Sequence, residues 1–468
     1  MRSAPAFEPW ESRQRFSSHD KSRHLTTPSA QTAKPPSSTE LKTGAMSASV
    51  WVAGGVVAKH GIRLATNLVL TRLLFPDAFG LMAIVHAVNQ GLEMLSDVGI
   101  RASVIQHDRD DEDFLDTAWT IQVVRGFVLW LCAALLAYPV SRIYEQPLLA
   151  LLIPVASSSA VIRGLASTSL MTLNRRLELR KLVPLEVLTQ LVGAVFMFGL
   201  AWYWRSVWPL ALGGVVSNVV RTGLSYRVGD RRRPRLHWER ETLHDMTGFG
   251  KWIFLSSFMS YLLGQGDRLI MGGFMSMGEL GVYSIAALVA RQAETVNKQV
   301  DNNVIFPVFS RTGKITTPGL LEQVARYRLV RMGIFLPGLW ILIVFGDDLI
   351  RLLWDERYWD AGWMVQALSG GTLFLIIGAV GPLHLARGES WIGVLVICVR
   401  AAVLVPGMVL GGYLAGAEGL IIAISASYVV YYPMQVWISI RYGVWLPLYD
   451  AVGFALSGAV IWAGLTFA

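Results

Sequence analysis

Charged side chains recur at helical spacing within segments of the chain that are otherwise apolar. In the first such segment Lys59 and Arg63 lie four residues apart, and in the eighth Arg291, Glu294 and Lys298 are separated by three and four residues. Residues three or four apart share one face of a helix. An ionisable group at the centre of a bilayer costs about 2.5–3.5 kcal/mol on insertion scales, so such groups persist where they face a wet cavity or one another. The pattern therefore predicts polar helix faces that meet inside a membrane protein.

The chemistry of these faces suits an anionic ligand. Arginine stays charged and donates two parallel hydrogen bonds to a phosphate group. The candidate substrate-binding residues are the cations of the apolar segments: Lys59, Arg63, Arg125, Arg268, Arg291, Lys298 and Arg400. The candidate ion-coupling groups are three carboxylates of the same segments: Glu93, Asp97 and Asp267.

The same charges also have a structural interpretation, in which they neutralise one another. Glu93 and Asp97 of the second segment are placed to pair with the cations of the first, and Glu294 and Asp301 with the cations of their own segment. Leucine at all these positions would serve a purely structural protein better. The set as a whole therefore favours a cationic cavity, while any single residue remains open to either interpretation.

The composition places these segments in a membrane. The 468-residue chain is 53% hydrophobic and 16% charged, with a mean hydropathy of +0.46. Soluble proteins carry about 25% charged residues. These values exclude a disordered chain, a coiled coil, a disulfide-stapled secreted domain and an ordinary cytosolic enzyme. The net charge of +8 is explained by cytosolic loops of a membrane protein, so no nucleic-acid partner is expected.

Thirteen apolar segments are long enough to cross a bilayer as helices. They lie near 48–74, 79–104, 117–138, 148–171, 183–204, 208–226, 248–274, 280–306, 329–346, 361–384, 390–412, 417–440 and 446–467. Lys and Arg concentrate in alternate connections, which fits a cytosolic N-terminus and an external C-terminus. The sequence thus predicts an all-α, multi-pass membrane protein.

The longest polar connection, which carries Arg231, Arg232 and Arg233, follows the sixth segment and divides the chain. The predicted parts are a disordered N-terminal tail 1–45, an N-terminal six-helix lobe 46–226, a basic cytosolic linker 227–247, a C-terminal six-helix lobe 248–440 and an extra C-terminal helix 441–468.

The tail is rich in Pro, Ser and Thr and has no apolar run, a composition that cannot form a packed core. Two interpretations of it stay open. It is either a cytosolic tail or a stretch that precedes the true translation start at Met46.

No pattern of catalysis or of metal binding is found in the sequence. Cys132 and Cys398 lie inside apolar runs, and the eight histidines stand in no metal-ligand spacing. The chain has neither a P-loop nor a G-x-S-x-G elbow. We therefore expect no catalytic residue, no metal site and no cofactor.

The two predicted lobes contain a weak internal repeat. Arg72-Leu-Leu-Phe-Pro-Asp-Ala-Phe-Gly-Leu joins the first and second segments, and Gly272-Gly-Phe-Met-Ser-Met-Gly-Glu-Leu-Gly-Val-Tyr-Ser joins the seventh and eighth. Both are tight turns in which an acidic residue precedes a glycine, Gly80 in one and Gly281 in the other. Internal repeats are typical of transporters.

Several of these stretches resemble one family. The stretch Thr71–Gln106 resembles the Wzx-like oligosaccharide and polysaccharide flippases, the polysaccharide biosynthesis exporters of the multidrug/oligosaccharidyl-lipid/polysaccharide superfamily. Asp267-Arg268-Leu-Ile-Met-Gly, followed by Leu280-Gly-Val-Tyr-Ser, is similar to the region between the seventh and eighth helices of that family. Phe306-Pro-Val-Phe-Ser resembles its motif at the end of the eighth helix. The resemblance covers roughly residues 46–440.

This resemblance implies two six-helix bundles around a central cavity that opens alternately to the two sides. It implies transport of polyprenyl-diphosphate-linked oligosaccharide across the bacterial inner membrane, for exopolysaccharide, capsule or O-antigen synthesis. The expected partners are this substrate and membrane lipids, with a polysaccharide polymerase and export machinery as further candidates. Family members often have twelve or fourteen helices, so thirteen departs from the pattern at the C-terminal end.

Two other functions compete with this one. A drug or cation antiporter of the same superfamily should have a cavity dominated by carboxylates, which the arginines at 63, 125, 291 and 400 argue against. A membrane enzyme that polymerises sugars needs a large external loop with acidic groups, and the longest external stretch, 347–360, is short.

Overall fold

The computed structural model describes residues 38–96, 112–175, 178–228, 234–238, 250–312, 317–378 and 381–467. The chain divides into two compact units, Met1–Ser47 and Ala48–Ala468. In the described ranges the regular elements are helices, and no β-strand is present. Most of the tail 1–45 and of the linker 227–247 lies outside these ranges.

The first half of the bundle, up to the basic connection, contains α1 (Ser38–Leu73), α2 (Pro76–Leu95), α3 (Glu112–Ile143), α4 (Leu149–Gly164), α5 (Ser169–Arg175), α6 (Leu179–Trp204) and α7 (Trp208–Val228). Proline at the first position of α2 is favourable, because the first amide of a helix has no partner inside the helix. Helices α4 and α5 meet at a bend of 67°, and the bent pair is together long and apolar enough to cross a membrane.

The second half contains α8 (Gly250–Gly272), α9 (Met277–Ala290), α10 (Gln292–Val300), α11 (Phe306–Thr312), α12 (Thr317–Leu353), α13 (Ala361–Gly378), α14 (Leu383–Ala386), α15 (Ser390–Arg441) and α16 (Pro447–Phe467). A π-helical turn, Asp301–Ile305, joins α10 to α11, and a 3₁₀ turn, Glu356–Tyr358, precedes α13. Helix α9 begins with a capping box, in which Ser276 and Glu279 each accept a hydrogen bond from the other's backbone amide.

Helix α15 is long enough to cross a bilayer twice. Its 52 residues would span about 78 Å as one helix, more than twice the hydrocarbon thickness of a bilayer. The helix breaks at Ala415 and Gly416, where Gly416 has a φ of 55°. A Cβ added to Gly411 would lie only 2.3 Å from the carbonyl oxygen of Gly419, so the two arms pack side by side. These arms correspond to the predicted segments 390–412 and 417–440.

Where the structure describes them, the predicted apolar segments lie mainly in helices or helix arms, which confirms the all-α, multi-pass fold. Residues 97–104 of the second segment lie outside the described ranges. In the described part of the chain, seven helices are long and apolar enough to cross a membrane, and the bent pair α4–α5 makes an eighth. Helix α1 begins at Ser38, so it includes residues 38–45 of the segment predicted to be disordered. Helix α16 packs on α12 and α13.

Three helices bring the two halves together. Helix α2 packs against α4 in its own half and against α8 and α9 of the other. Helix α9 also packs on α13, and α8 on α15. The main apolar core runs through this contact and includes Leu74, Ile84, Tyr283 and Tyr358. The faces of α2, α8 and α9 that point away from this core line part of a polar cavity.

Candidate functional site

A cavity of about 1180 Å³ lies between the helices of the first half and is bordered on one side by α8 and α9. Most of its lining comes from α1, α2, α3, α4, α6 and α7. Five arginines and two glutamates face it: Arg63, Arg125, Arg163, Arg221, Arg268, Glu93 and Glu186. The arginines that line the cavity outnumber the glutamates.

Arg63 and Arg268 bring positive charge into the cavity from opposite halves. Arg63 projects from α1 and Arg268 from α8. Their positive charges are close enough to repel each other and to interact electrostatically with the side chain of His86 in α2. Among the described residues neither arginine forms an ion pair with a carboxylate. The Nη1 of Arg268 donates to the side chain of Gln265, and its Nε is buried with no acceptor in the described structure. Two guanidinium groups that form no ion pair in the described structure are suited to bind an anion.

Arg125 and Arg163 also line the cavity, and both contact residues at the carboxyl end of α2. Arg163 of α4 forms an ion pair with Glu93. Arg125 of α3 donates from Nη2 to the carbonyl oxygen of Glu93 at 2.8 Å and from Nε to Ser96 Oγ at 3.2 Å. Glu93 is thus neutralised by a cation that the sequence did not place beside it. Asp97, the neighbouring candidate, lies outside the described residues.

Neutral polar groups complete the lining. Gln122 Nε2 donates to the carbonyl oxygens of Arg163 and Gly164, both at 2.9 Å, and so caps α4 where the span bends. Ser157 donates to Asn89 Oδ1 at 2.5 Å. Amides and hydroxyls of this kind match the donors and acceptors of sugar hydroxyl groups.

Lys59 lies outside the cavity lining. Its Nζ is 2.7 Å from Glu186 Oε2, and its carbonyl oxygen accepts a hydrogen bond of 2.9 Å from Gln190. These contacts attach α1 to α6. The structure therefore gives Lys59 a tethering contact with the sixth helix of the first half.

The buried carboxylate of Asp267 forms an ion pair with the partly exposed Arg291 in the second half. Arg291 Nη2 lies 2.6 Å from Asp267 Oδ2, and the hydroxyl of Tyr283 donates to the same carboxylate. The Asp267 side chain is 1% exposed and does not line the cavity. This candidate coupling carboxylate therefore has an arginine as its counter-charge.

Lys298 and Arg400 meet at Glu294, also away from the cavity. Lys298 Nζ is 2.8 Å and Arg400 Nη1 is 3.6 Å from Glu294 Oε1. Tyr428 donates to Glu294 Oε2 at 2.7 Å, and the guanidinium of Arg400 lies 4.1 Å from the centre of the Tyr428 ring. Of the seven cations proposed from the sequence, the structure brings Arg63, Arg125 and Arg268 into one cavity. It places the other four in ion pairs.

Sequence reasoning missed Arg163 and Arg221 as cavity residues. Arg163 is a lone arginine in an apolar span, which is a signal for a functional group. Arg221 lies near a helix end, where anchoring at the membrane surface is the common role of arginine. The place of these two arginines in the sequence does not show which neighbouring helix their side chains face.

Comparison with known proteins agrees with this architecture. Residues 69–362 match the model of a family described as polysaccharide biosynthesis protein. The lipopolysaccharide biosynthesis protein WzxC of Escherichia coli (strain K12) is 26% identical over 384 residues, which cover 81% of this chain and 77% of WzxC.

Two solved transporter structures have a similar fold. One is a multidrug resistance transporter of the MATE family and the MOP superfamily in an inward-facing conformation, with a TM-score of 0.65 and 13% identity over 82% of this chain and 94% of that one. The other is the lipid II flippase MurJ, with a TM-score of 0.65 and 9% identity over 89% of this chain and 98% of that one. The family match spans more than half of the sequence and includes the turn between α1 and α2 and that between α8 and α9. The chain therefore belongs to the family of polysaccharide biosynthesis proteins.

Proposed function

We propose that this protein flips polyprenyl-diphosphate-linked oligosaccharide units across the bacterial cytoplasmic membrane for the synthesis of exopolysaccharide, capsule or O-antigen. The observation that carries the proposal is the meeting of Arg63 and Arg268 in one cavity, where neither forms an ion pair with a carboxylate of the described residues. The family match and the names of WzxC and MurJ support the same conclusion.

The transport cycle follows from the distribution of charge. The diphosphate binds between Arg63 and Arg268, because each guanidinium can donate a pair of hydrogen bonds to one phosphate. The sugar lies in the part of the cavity lined by Gln122, Asn89 and Ser157. The lipid tail stays in the bilayer, and no covalent bond is made or broken. Binding from both halves at once links the occupied site to their relative motion.

Two rival functions are disfavoured. A cavity with five arginines and two glutamates suits an anionic cargo better than the cations exported by drug antiporters. The similarity of the fold to a multidrug transporter and to the lipid II flippase MurJ favours transport over the polymerisation of sugars.

The orientation is also a proposal. The N-terminus faces the cytosol, because Lys and Arg concentrate in the connections that this orientation places inside. The turn between α1 and α2 then lies outside the cell, while the ends of α4 and α7 lie near the cytosol. A polysaccharide polymerase that consumes the product on the outside is a candidate partner.

The driving force has two candidate sources. One is consumption of the flipped unit outside, and the other is an ion gradient. Glu93 is the candidate coupling carboxylate that lines the cavity, and Asp97 is its neighbour in the sequence. Asp267 can take part only if its pair with Arg291 opens.

The direct test is the fate of the lipid-linked unit in a strain that lacks this protein. We expect the lipid-linked oligosaccharide to accumulate in the cytosolic leaflet and the surface polysaccharide to be lost, because the precursor cannot cross. Extraction of lipid-linked sugars and a surface polysaccharide assay measure the two effects. Complementation with the intact gene is the control. Normal surface polysaccharide without accumulation of the precursor would contradict the function.

A further inference from the structure

A histidine lies on the face of α2 that lines the cavity. His86, Asn89, Gln90 and Glu93 follow the spacing of one helix face, and all four line the cavity. The side chain of His86 is exposed there, and neither of its ring nitrogens has a hydrogen-bond partner in the described part of the chain. An ionisable side chain inside an apolar span is a candidate functional group. His86 is therefore free to contact a ligand in the cavity.

The packing of α2 on α8 brings His86 to the level of Arg268. Gln265 Nε2 of α8 donates to Gln90 Oε1 of α2 at 2.6 Å. The two helices run in opposite directions, since Gly272, the last residue of α8, packs against the first half of α2. About one turn from the glutamine contact, towards that end, lie Arg268 on α8 and His86 on α2.

The turn between α1 and α2 brings Arg63 to a similar depth. Arg63 lies ten residues before Leu73, the last residue of α1, and His86 lies ten residues after Pro76, the first residue of α2. Ten residues of helix span about 15 Å, so both side chains leave their helices at about the same distance from the turn. The imidazole is within electrostatic reach of both guanidinium groups.

The other ionisable groups of the lining lie further from His86. Glu93 is seven residues beyond it on α2, about 10 Å along the helix, and is the group that Arg125 and Arg163 contact. The part of α9 that lines the cavity carries no ionisable side chain. Among the described residues, the charged groups that His86 faces are therefore the two arginines proposed to hold the diphosphate. The remaining ionisable groups of the lining are Glu93, Arg125, Arg163, Glu186 and Arg221.

We propose that His86 is a third ligand of the diphosphate and takes up a proton when the lipid-linked unit binds. The proposal rests on the proposed flippase function. A neutral imidazole has one donor and one acceptor nitrogen, whereas the protonated ring has two donors. Phosphate oxygens of the bound diester only accept, so the protonated ring forms the stronger, charge-assisted hydrogen bond. The proton comes from water in the cavity and returns to water when the cargo leaves.

The affinity for the cargo should then depend on pH. Because the occupied site holds more protons than the empty one, binding is tightest at low pH and weakens as the pH rises. We expect the affinity to fall about tenfold between about pH 6 and about pH 8, the range in which histidines titrate. The cargo itself adds no pH dependence, because a diphosphate that is esterified at both ends keeps its charge over this range.

Calorimetric titration of the purified, detergent-solubilised full chain tests the proposal. The probe is farnesyl diphosphoglucose, a short analogue that is esterified at both ends. Titrations in buffers that differ in their enthalpy of ionisation give the number of protons taken up. The intact protein should take up as much as about one proton per bound probe near neutral pH. His86→Gln should take up none, and at every pH it should bind as weakly as the intact protein does at about pH 8.

Two further variants separate binding from a structural role. His86→Arg supplies a permanent charge, so it should bind the probe at about pH 8 roughly tenfold more tightly than the intact protein, with no proton uptake. A merely structural histidine would not be improved by this change. His60→Gln is the matched control, because His60 belongs to α1 but does not line the cavity. It should keep both the pH dependence and the proton uptake.

The outcomes distinguish this inference from the function on which it rests. Proton uptake by His86→Gln equal to that of the intact protein, with binding that still requires Arg63 and Arg268, would overturn the role of His86 and leave the flippase function standing. An intact protein that does not bind the probe at all would overturn both.

Discussion

Replacement of Arg63 or Arg268 by alanine is expected to abolish polysaccharide export while the protein still reaches the membrane. Each change removes a charged, bidentate contact to the diphosphate, a loss of about 3 kcal/mol or roughly a factor of 100. Lysine at either position should restore part of the export, because it keeps the charge but not the planar fork. The measurement is surface polysaccharide in a complemented null strain, with protein level checked by blotting.

Arg291 supplies the matched control. Its guanidinium pairs with the buried carboxylate of Asp267, so Arg291→Ala leaves an uncompensated charge. The double variant Arg291→Ala with Asp267→Ala should therefore recover much of what the single variant loses. No removal of a carboxylate should rescue Arg63→Ala, since Arg63 has no such partner in the described structure. Full export by both Arg63→Ala and Arg268→Ala would refute the cationic site.

Asp450→Ala is expected to cause a large loss of stability. Arg328 of α12 is 0% exposed, and its guanidinium pairs with Asp450 of α16 and donates to the carbonyl oxygen of Ile377. Tyr432 donates to the same carboxylate at 3.0 Å. Removal of one member of a buried pair leaves the other charge without compensation, which costs about 3–5 kcal/mol. The thermal unfolding midpoint of the detergent-solubilised protein should fall markedly.

Two variants separate this effect from a general sensitivity to substitution. The double change Arg328→Met with Asp450→Leu removes both charges and should recover most of the lost stability. Arg351→Ala breaks the exposed pair with Asp347, which is 2.7 Å long, and should change stability by no more than about 1 kcal/mol. An unfolding midpoint of Asp450→Ala equal to that of the intact protein would show that α16 does not depend on the buried pair.

The helices were predictable because a bilayer requires runs of apolar residues and satisfied backbone groups, and both leave a direct trace in the sequence. Even the two arms of α15 appear as separate apolar segments around Gly416. Arg63 was predicted from the spacing of the charges in α1, and Arg268 because it is a charged residue inside an apolar segment. The bend between α4 and α5 was not predicted, since it depends on a cap donated by Gln122 from another helix.

Ion-pair partners that lie on different helices could not be predicted from the sequence. Spacing along one helix suggested that Arg291 pairs with Glu294, but the tertiary structure brings it to Asp267 on the preceding helix. Asp450 finds its partner on α12, 122 positions away in the chain, and no local pattern marks either residue. The repeat identified Gly80 and Gly281 as equivalent positions, whereas their contact appears only when the two halves are packed together.

Flipping by the purified protein tests the central claim most directly. Proteoliposomes are prepared with a polyprenyl diphosphate that carries a short oligosaccharide in both leaflets, and an impermeant glycosidase is added outside. The account predicts that the intact protein makes nearly all of the oligosaccharide accessible to the enzyme. With the folded double variant Arg63→Ala and Arg268→Ala, only the outer leaflet, about half, should be cleaved. Cleavage that stops at about half with the intact protein, or full cleavage with the double variant, would contradict it.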